Sequence, residues 1–272
     1  HRRVHGSSKI RLTHAFKGVF HLFKLSMTLN KVVKKLKKER SIELEKTNNE
    51  WDHYWGSKKE KAAYDIIASF YRYKLIKPTL NKFIKENFSK GAHLLHAGCG
   101  SGETDIDVIK YTHVTALDLS SKAIDKYKNV HGGNCKTMLG SIFDIPAPAS
   151  TFDGIYNLGV MEHFLENEIV DILREFNRVL TPEGKVVLFW PPSYGLSVFA
   201  LKTIHFVLNT ILRKGIKLHP DEPTQIRSKK QVQKLLTQAG FSLEKFSFSF
   251  RDAFTYVVVV ASKDGTYKLV GR

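Results

Sequence analysis

Leu94-Leu95-His96-Ala97-Gly98-Cys99-Gly100-Ser101-Gly102-Glu103 is the stretch on which the fold turns. A short apolar run leads straight into three glycines at alternate positions, and a helical pattern follows. That order reads as a buried strand, a tight turn and a helix start. Glycine at 98, 100 and 102 permits positive φ and close approach of backbone to a ligand, while the helix start offers N–H groups with no partner inside the helix. The spacing is G-x-G-x-G, and Glu103 stands where a dinucleotide-binding turn has its third glycine, placing an acid that would repel a pyrophosphate. Sixteen residues past Gly102, Asp118 ends a second apolar run in Ala116-Leu117-Asp118-Leu119-Ser120. A carboxylate at the C-terminal end of that strand, beside the turn, is placed to accept from both hydroxyls of a ribose. The competing reading is that Asp118 caps the following helix, but Ser120 is at least as good a cap, which favours the ribose role. Turn and carboxylate together predict an adenosine-containing ligand.

Outward from this stretch the alternation continues. His93–Ala97, Val114–Leu117, 154–158 and 185–190 read as strands, and Leu165, Ile169, Ile172, Leu173, Phe176, Val179 and Leu180 form one apolar helical face. Strand and helix alternating in this way imply a parallel sheet covered on both sides. Upstream, 58–72 and 79–88 read as helices, with Pro78 at the start of the second. Downstream, Ser228 with Gln231 opens a helix as a capping box, and 241–250 and 253–261 read as a closing hairpin. The 272 residues suffice for one large α/β domain with additions. With 42% hydrophobic and 25% charged residues, a disordered or fibrous chain is excluded. Two cysteines, Cys99 and Cys135, build neither a disulfide framework nor a cysteine zinc site, and a reducing, cytoplasmic compartment fits.

Four blocks of this chain, Leu95 to Gly102, Ala116 to Ser120, Gly140 to His163 and Arg178 to Pro191, resemble the class I S-adenosylmethionine-dependent methyltransferases in order and spacing. The resemblance covers roughly 91–261. It implies a Rossmann-like, doubly wound, seven-stranded and mostly parallel sheet whose last strand is antiparallel, with S-adenosyl-L-methionine as cofactor. Carried over, Gly98, Gly100 and Gly102 line the methionine and ribose side, and Asp118 holds the ribose hydroxyls. Leu119 packs on adenine, Ser141 and Ile142 lie at its edge, and Asn157 and Leu158 sit beneath the sulfonium. His96 occupies the position of an acid that usually precedes the first glycine, and Ser141 that of an acid that often receives the adenine amino group; Asp144 is an alternative for the latter, or fixes the turn before Pro146.

Methyl transfer to an aligned acceptor demands little of side chains. His163, just past the fourth strand, is the candidate general base, with a role in capping or packing as the competing reading. Glu162, Trp190 and Tyr194 are candidate walls of the acceptor pocket, and adjacency of Glu162 and His163 without a third ligand argues against a metal. Trp190-Pro191-Pro192-Ser193-Tyr194 is similar to the Pro-Pro-aromatic signature of nucleic-acid amino methylases, but it follows the fifth strand rather than the fourth. The mostly apolar 196–213 reads as a lid-like helix, within about 195–220, or as a plain buried one.

Residues 1–57 read as a basic amphipathic arm and linker before a catalytic domain over 58–272. Residues 1–38 hold eleven of the Lys and Arg and no acid, about two thirds of the formal charge of +17. Phe16, Val19, Phe20, Phe23 and Met27 recur at near-helical spacing among those lysines, a pattern that suits an anionic membrane surface. An ordinary docking helix fits it too, and the opening at His1 admits a transit segment or processing. Trp51, Tyr54 and Trp55 end the linker. No apolar run reaches the roughly 18–20 residues of a spanning helix. The expectation is a methyltransferase for a small-molecule or lipid-like acceptor, cytoplasmic or peripheral to a membrane. RNA methylation through the basic arm and a non-catalytic binding role are the alternatives.

Overall fold

The computed structural model describes residues 51, 52, 55, 72–132, 135–195, 222–250 and 254–265. The basic arm, all but the last residue of the expected helix over 58–72, and nearly all of the expected lid lie outside these residues. The chain separates into the compact units His1–Trp51 and Asp52–Arg272, and the fold that follows belongs to the second.

A π-helical turn, Arg72–Ile76, runs into α1 (Lys77–Asn87), with Pro78 in its first turn. Then come β1 (His93–Ala97), a 3-10 turn over Glu103–Ile106, α2 (Val108–Tyr111), β2 (His113–Asp118), α3 (Ser121–His131), β3 (Lys136–Leu139) and β4 (Phe152–Leu158). A second 3-10 turn, Met161–His163, precedes α4 (Glu166–Val179) and β5 (Leu180–Trp190), and α5 (Lys229–Gln238), β6 (Phe241–Phe248) and β7 (Val257–Lys263) complete the order. The seven strands lie in the order β3-β2-β1-β4-β5-β7-β6. The five from β3 to β5 are parallel, whereas β7 runs antiparallel to both β5 and β6, as expected of the last strand.

Local chemistry explains the helix ends. Ser120 accepts the Ala123 N–H at the start of α3, and Ser228 accepts that of Gln231 at the start of α5. Glu168 reaches back to accept the Leu165 N–H before α4 at 2.7 Å, satisfying a donor the helix leaves free. The sheet is covered on both sides. Ile169, Leu173 and Phe176 of α4 and Val232 and Leu236 of α5 bury against Leu95, Ile155 and Leu188 on one face, while Leu80, Phe83 and Ile84 of α1 bury against Tyr156, Val187 and Phe189 on the other.

Successive strands are added outward from β1 in opposite directions, so the carboxyl ends of β1 and β4 flank a topological switch point. That is where ligands bind in open parallel sheets. The loops carrying Gly98 to Gly102, Leu119, Ser141, Glu162 and Tyr194 all leave the sheet at this edge.

Candidate functional site

The turn after β1 is fastened to β2. Gly98 and Cys99 both donate N–H groups to the Leu117 carbonyl, at 2.8 and 3.0 Å. The Asp118 carboxylate accepts the Gly100 N–H through one oxygen and the Ser120 N–H through the other, each at 2.9 Å. Burial pushes the Asp118 carboxyl up from the ordinary value, and those two amide donors pull it back toward ionisation. Each oxygen retains a lone pair for a further donor, as two ribose hydroxyls require.

Beneath the turn lies a buried network that the sequence reading missed. His96 donates from Nδ1 to Asp105 at 2.7 Å, and the Tyr127 hydroxyl donates to the same carboxylate oxygen at 2.9 Å. Asp105 is fully buried, and Tyr156 stacks on the His96 ring with centroids 4.5 Å apart. An acid is therefore present under the turn, but it comes from the 3-10 turn rather than from position 96. The Glu103-x-Asp105 pair straight after the last glycine was the available signal. Gly102 shows why this turn tolerates no side chain: its φ is +64°, and a Cβ there would stand 2.3 Å from the Tyr127 ring.

Across the switch point, Asn157 at the end of β4 is completely buried, and among the described residues neither its side-chain oxygen nor its nitrogen has a partner. Glu162, 4% exposed, likewise leaves Oε2 unpartnered. Burial, with a lesser contribution from Glu222, holds the Glu162 carboxyl well above the ordinary value. Buried polar groups without partners cost free energy, and two of them, one at the end of β4 and one in the turn that follows it, mark a place built for a ligand. Val160 closes on the turn from this side, 2.8 Å from the position of a Cβ at Gly98.

The other predicted residues take varied places. Leu119 and Leu158 are half-buried and Ile142 is buried; the Ser141 hydroxyl accepts the Phe143 N–H, and the Asp144 N–H returns to the Ser141 carbonyl. His163 closes the 3-10 turn, its N–H bonded to the Val160 carbonyl. Trp190 is 1% exposed and donates its indole N–H to the Thr224 carbonyl, anchoring the strand-like segment through Ile226. Tyr194 is half-exposed, and with Phe248 and Phe254 it forms a chain of rings at the same edge. Among the described residues no group of His, Cys, Asp and Glu is gathered to hold a metal, and no helix is long and apolar enough to cross a membrane.

The glycine cradle, the inward-facing carboxylate and the orphaned amide of Asn157 fit a nucleoside with a polar tail, and known proteins agree. A family model described as a methyltransferase domain matches residues 95–188. The chain is 28% identical over 163 residues to an uncharacterized methyltransferase of Schizosaccharomyces pombe, covering 55% of this chain and 58% of that protein. It is 25% identical over 113 residues to a Homo sapiens protein named Probable tRNA methyltransferase 9B, covering 41% of this chain and 24% of that one. The chain thus spans well under two thirds of these relatives' own lengths. In fold it is similar to magnesium protoporphyrin IX methyltransferase from Synechocystis PCC 6803 with bound SAH, with a TM-score of 0.55 and 20% identity over 83% of this chain and 100% of that one. Residues 95–188 thus match a methyltransferase domain, and the fold is similar to that of solved S-adenosylmethionine-dependent methyltransferases.

Proposed function

We propose that the protein transfers a methyl group from S-adenosylmethionine to a small, apolar or lipid-like acceptor carrying a hydroxyl or amine. The observation that carries this reading is the pair of unpartnered buried polar groups, Asn157 and Glu162, facing the end of the sheet that also bears the glycine turn. When bound, the cofactor supplies a methyl group on a positively charged sulfur, already electrophilic. Gly98, Gly100 and Gly102 give its backbone-lined seat, Asp118 takes the ribose hydroxyls, and Leu119, Ser141 and Ile142 border the adenine. Asn157 and Leu158 stand below the reacting end.

On the acceptor side, the unpartnered Oε2 of Glu162 hydrogen-bonds the acceptor heteroatom and orients it, and His163 at the end of the same 3-10 turn accepts the proton that the acceptor loses on methylation. Orientation supplies most of the acceleration, since no bond in the electrophile needs prior activation. Tyr194, Phe248 and Phe254 give the acceptor an apolar wall, which supports a lipid-like or aromatic compound over a polyanion.

A second reading, RNA methylation, is favoured by the basic 1–38 segment and by the relative named for tRNA. Incubation of the full chain with methyl-labelled S-adenosylmethionine and a cell extract, fractionated into RNA, lipid and small-molecule pools, separates the two. Label in the lipid or small-molecule pool is expected; label confined to RNA contradicts the proposal.

A further inference from the structure

The sequence reading left Asp52 and Trp55 in a linker, yet Trp55 lies against the glycine turn and Asp52 against Ser120, just after Asp118. Two ring carbons of Trp55, Cη2 and Cζ2, stand 2.8 Å from the position that a Cβ at Gly100 would take. The indole edge reaches this depth only because residue 100 has no side chain. Lys126, on α3, holds its ammonium 5.0 Å from the Trp55 ring centroid, a cation–π distance. The Ser120 hydroxyl donates to the Asp52 carboxylate, and the same oxygen accepts the Ala123 N–H that starts α3.

These contacts converge. Gly100 donates its N–H to Asp118, and Ser120 donates its own to the other oxygen of the same carboxylate. Asp52 and Trp55 therefore touch the two residues whose amides hold the Asp118 carboxylate. We infer that Asp52 and Trp55 form the outer wall of the cofactor site, with Trp55 as the ring that covers the bound nucleoside and Asp52 as the latch that keeps the ring in place. This rests on the cofactor reading above. The Asp52–Ser120 hydrogen bond and the Trp55–Lys126 cation–π contact join this wall to Ser120 and α3 and not to a strand, so exchange of the cofactor passes along it. It also excludes water from a carboxylate that must choose between solvent and ribose.

Binding and release of S-adenosylhomocysteine by the full chain test the inference. Calorimetry gives affinity, and chase of radiolabelled S-adenosylhomocysteine by excess unlabelled ligand gives the release rate of every variant. Trp55→Ala is expected to weaken binding by about tenfold, mainly through faster release, the order expected of losing one aromatic contact. Trp55→Phe keeps a ring and should lie between, while abolishing most of the ligand-induced fluorescence change. Asp52→Asn should hasten release with a smaller loss of affinity. Ligand-free melting temperatures and far-ultraviolet circular dichroism establish that each variant is folded. Unchanged affinity and release in Trp55→Ala, with tight wild-type binding, overturns the wall and leaves the cofactor reading intact. Tighter binding in that variant overturns it too, since the ring would then be a plug. Absence of wild-type binding removes the cofactor reading and the inference with it.

Discussion

Replacing Glu162 by Gln removes one titration and almost nothing else, so its effect is computable. The side chain is 4% exposed, Oε2 has no partner among the described residues, and burial holds the carboxyl well above the ordinary value of 4.5. A folded value raised above the unfolded one means that the folded state keeps a proton that the unfolded chain gives up. The stability this contributes is complete below the unfolded value and is lost as pH rises toward the folded one. In that interval the two states differ by one proton, and linkage sets the loss at about 1.4 kcal/mol per pH unit. For a domain of this size about 1 kcal/mol shifts Tm by 2–4 °C, giving roughly 3–6 °C per unit. Gln is isosteric and does not titrate. Asp118 is also raised, but it is present in both proteins and cancels in the difference. Melting curves of wild type and Glu162→Gln from pH 4 to 8 should therefore diverge, with wild type losing ground as pH rises. Parallel curves would refute the assignment of a buried, neutral acid at this position.

Asp118→Asn keeps the shape but satisfies only one of the two backbone N–H groups and turns an amide against the other, so S-adenosylhomocysteine affinity should fall about 10–100-fold by calorimetry. Gly102→Ala combines a positive φ with an overlap on Tyr127, whose hydroxyl is tied to Asp105, and should cost about 3 kcal/mol in urea unfolding. Gly91→Ala, at φ +82° but facing open space, should cost only about 1 kcal/mol, and equal losses would show that Tyr127 yields freely. Arg178 ties the buried Glu175 to the Ile145 and Ala147 carbonyls, so Arg178→Leu leaves that carboxylate with the Ile145 N–H but without its counter-ion and should cost about 3 kcal/mol, seen as a fall in Tm of about 6–12 °C.

What was legible in the chain was local. β1 spans the residues its apolar run marks, and α4 begins and ends within one residue of its periodic face, because both bury a continuous apolar set. β3, Lys136–Leu139, went unread: it is a four-residue edge strand with no fully buried side chain, so it carries no apolar run. The last strand was expected from 253 but begins at Val257, since Phe254 takes a φ of +54°, which no extended strand contains. The penultimate strand stops at Phe248 rather than 250. In the site, the glycine turn, Asp118 and the Ser120 cap were readable from spacing. The His96–Asp105–Tyr127 network and the Asp52–Ser120 bond were not, because their partners lie 9, 22 and 68 residues apart and no short pattern links them.

The reading as a whole stands on a nucleoside seat between the ends of β1, β2 and β4. Isothermal titration of the full chain with S-adenosylhomocysteine, beside Asp118→Asn, measures it directly. One equivalent bound by wild type, with a Kd at least tenfold weaker in the variant, is the predicted result. No heat from wild type, or identical isotherms from both proteins, would contradict it.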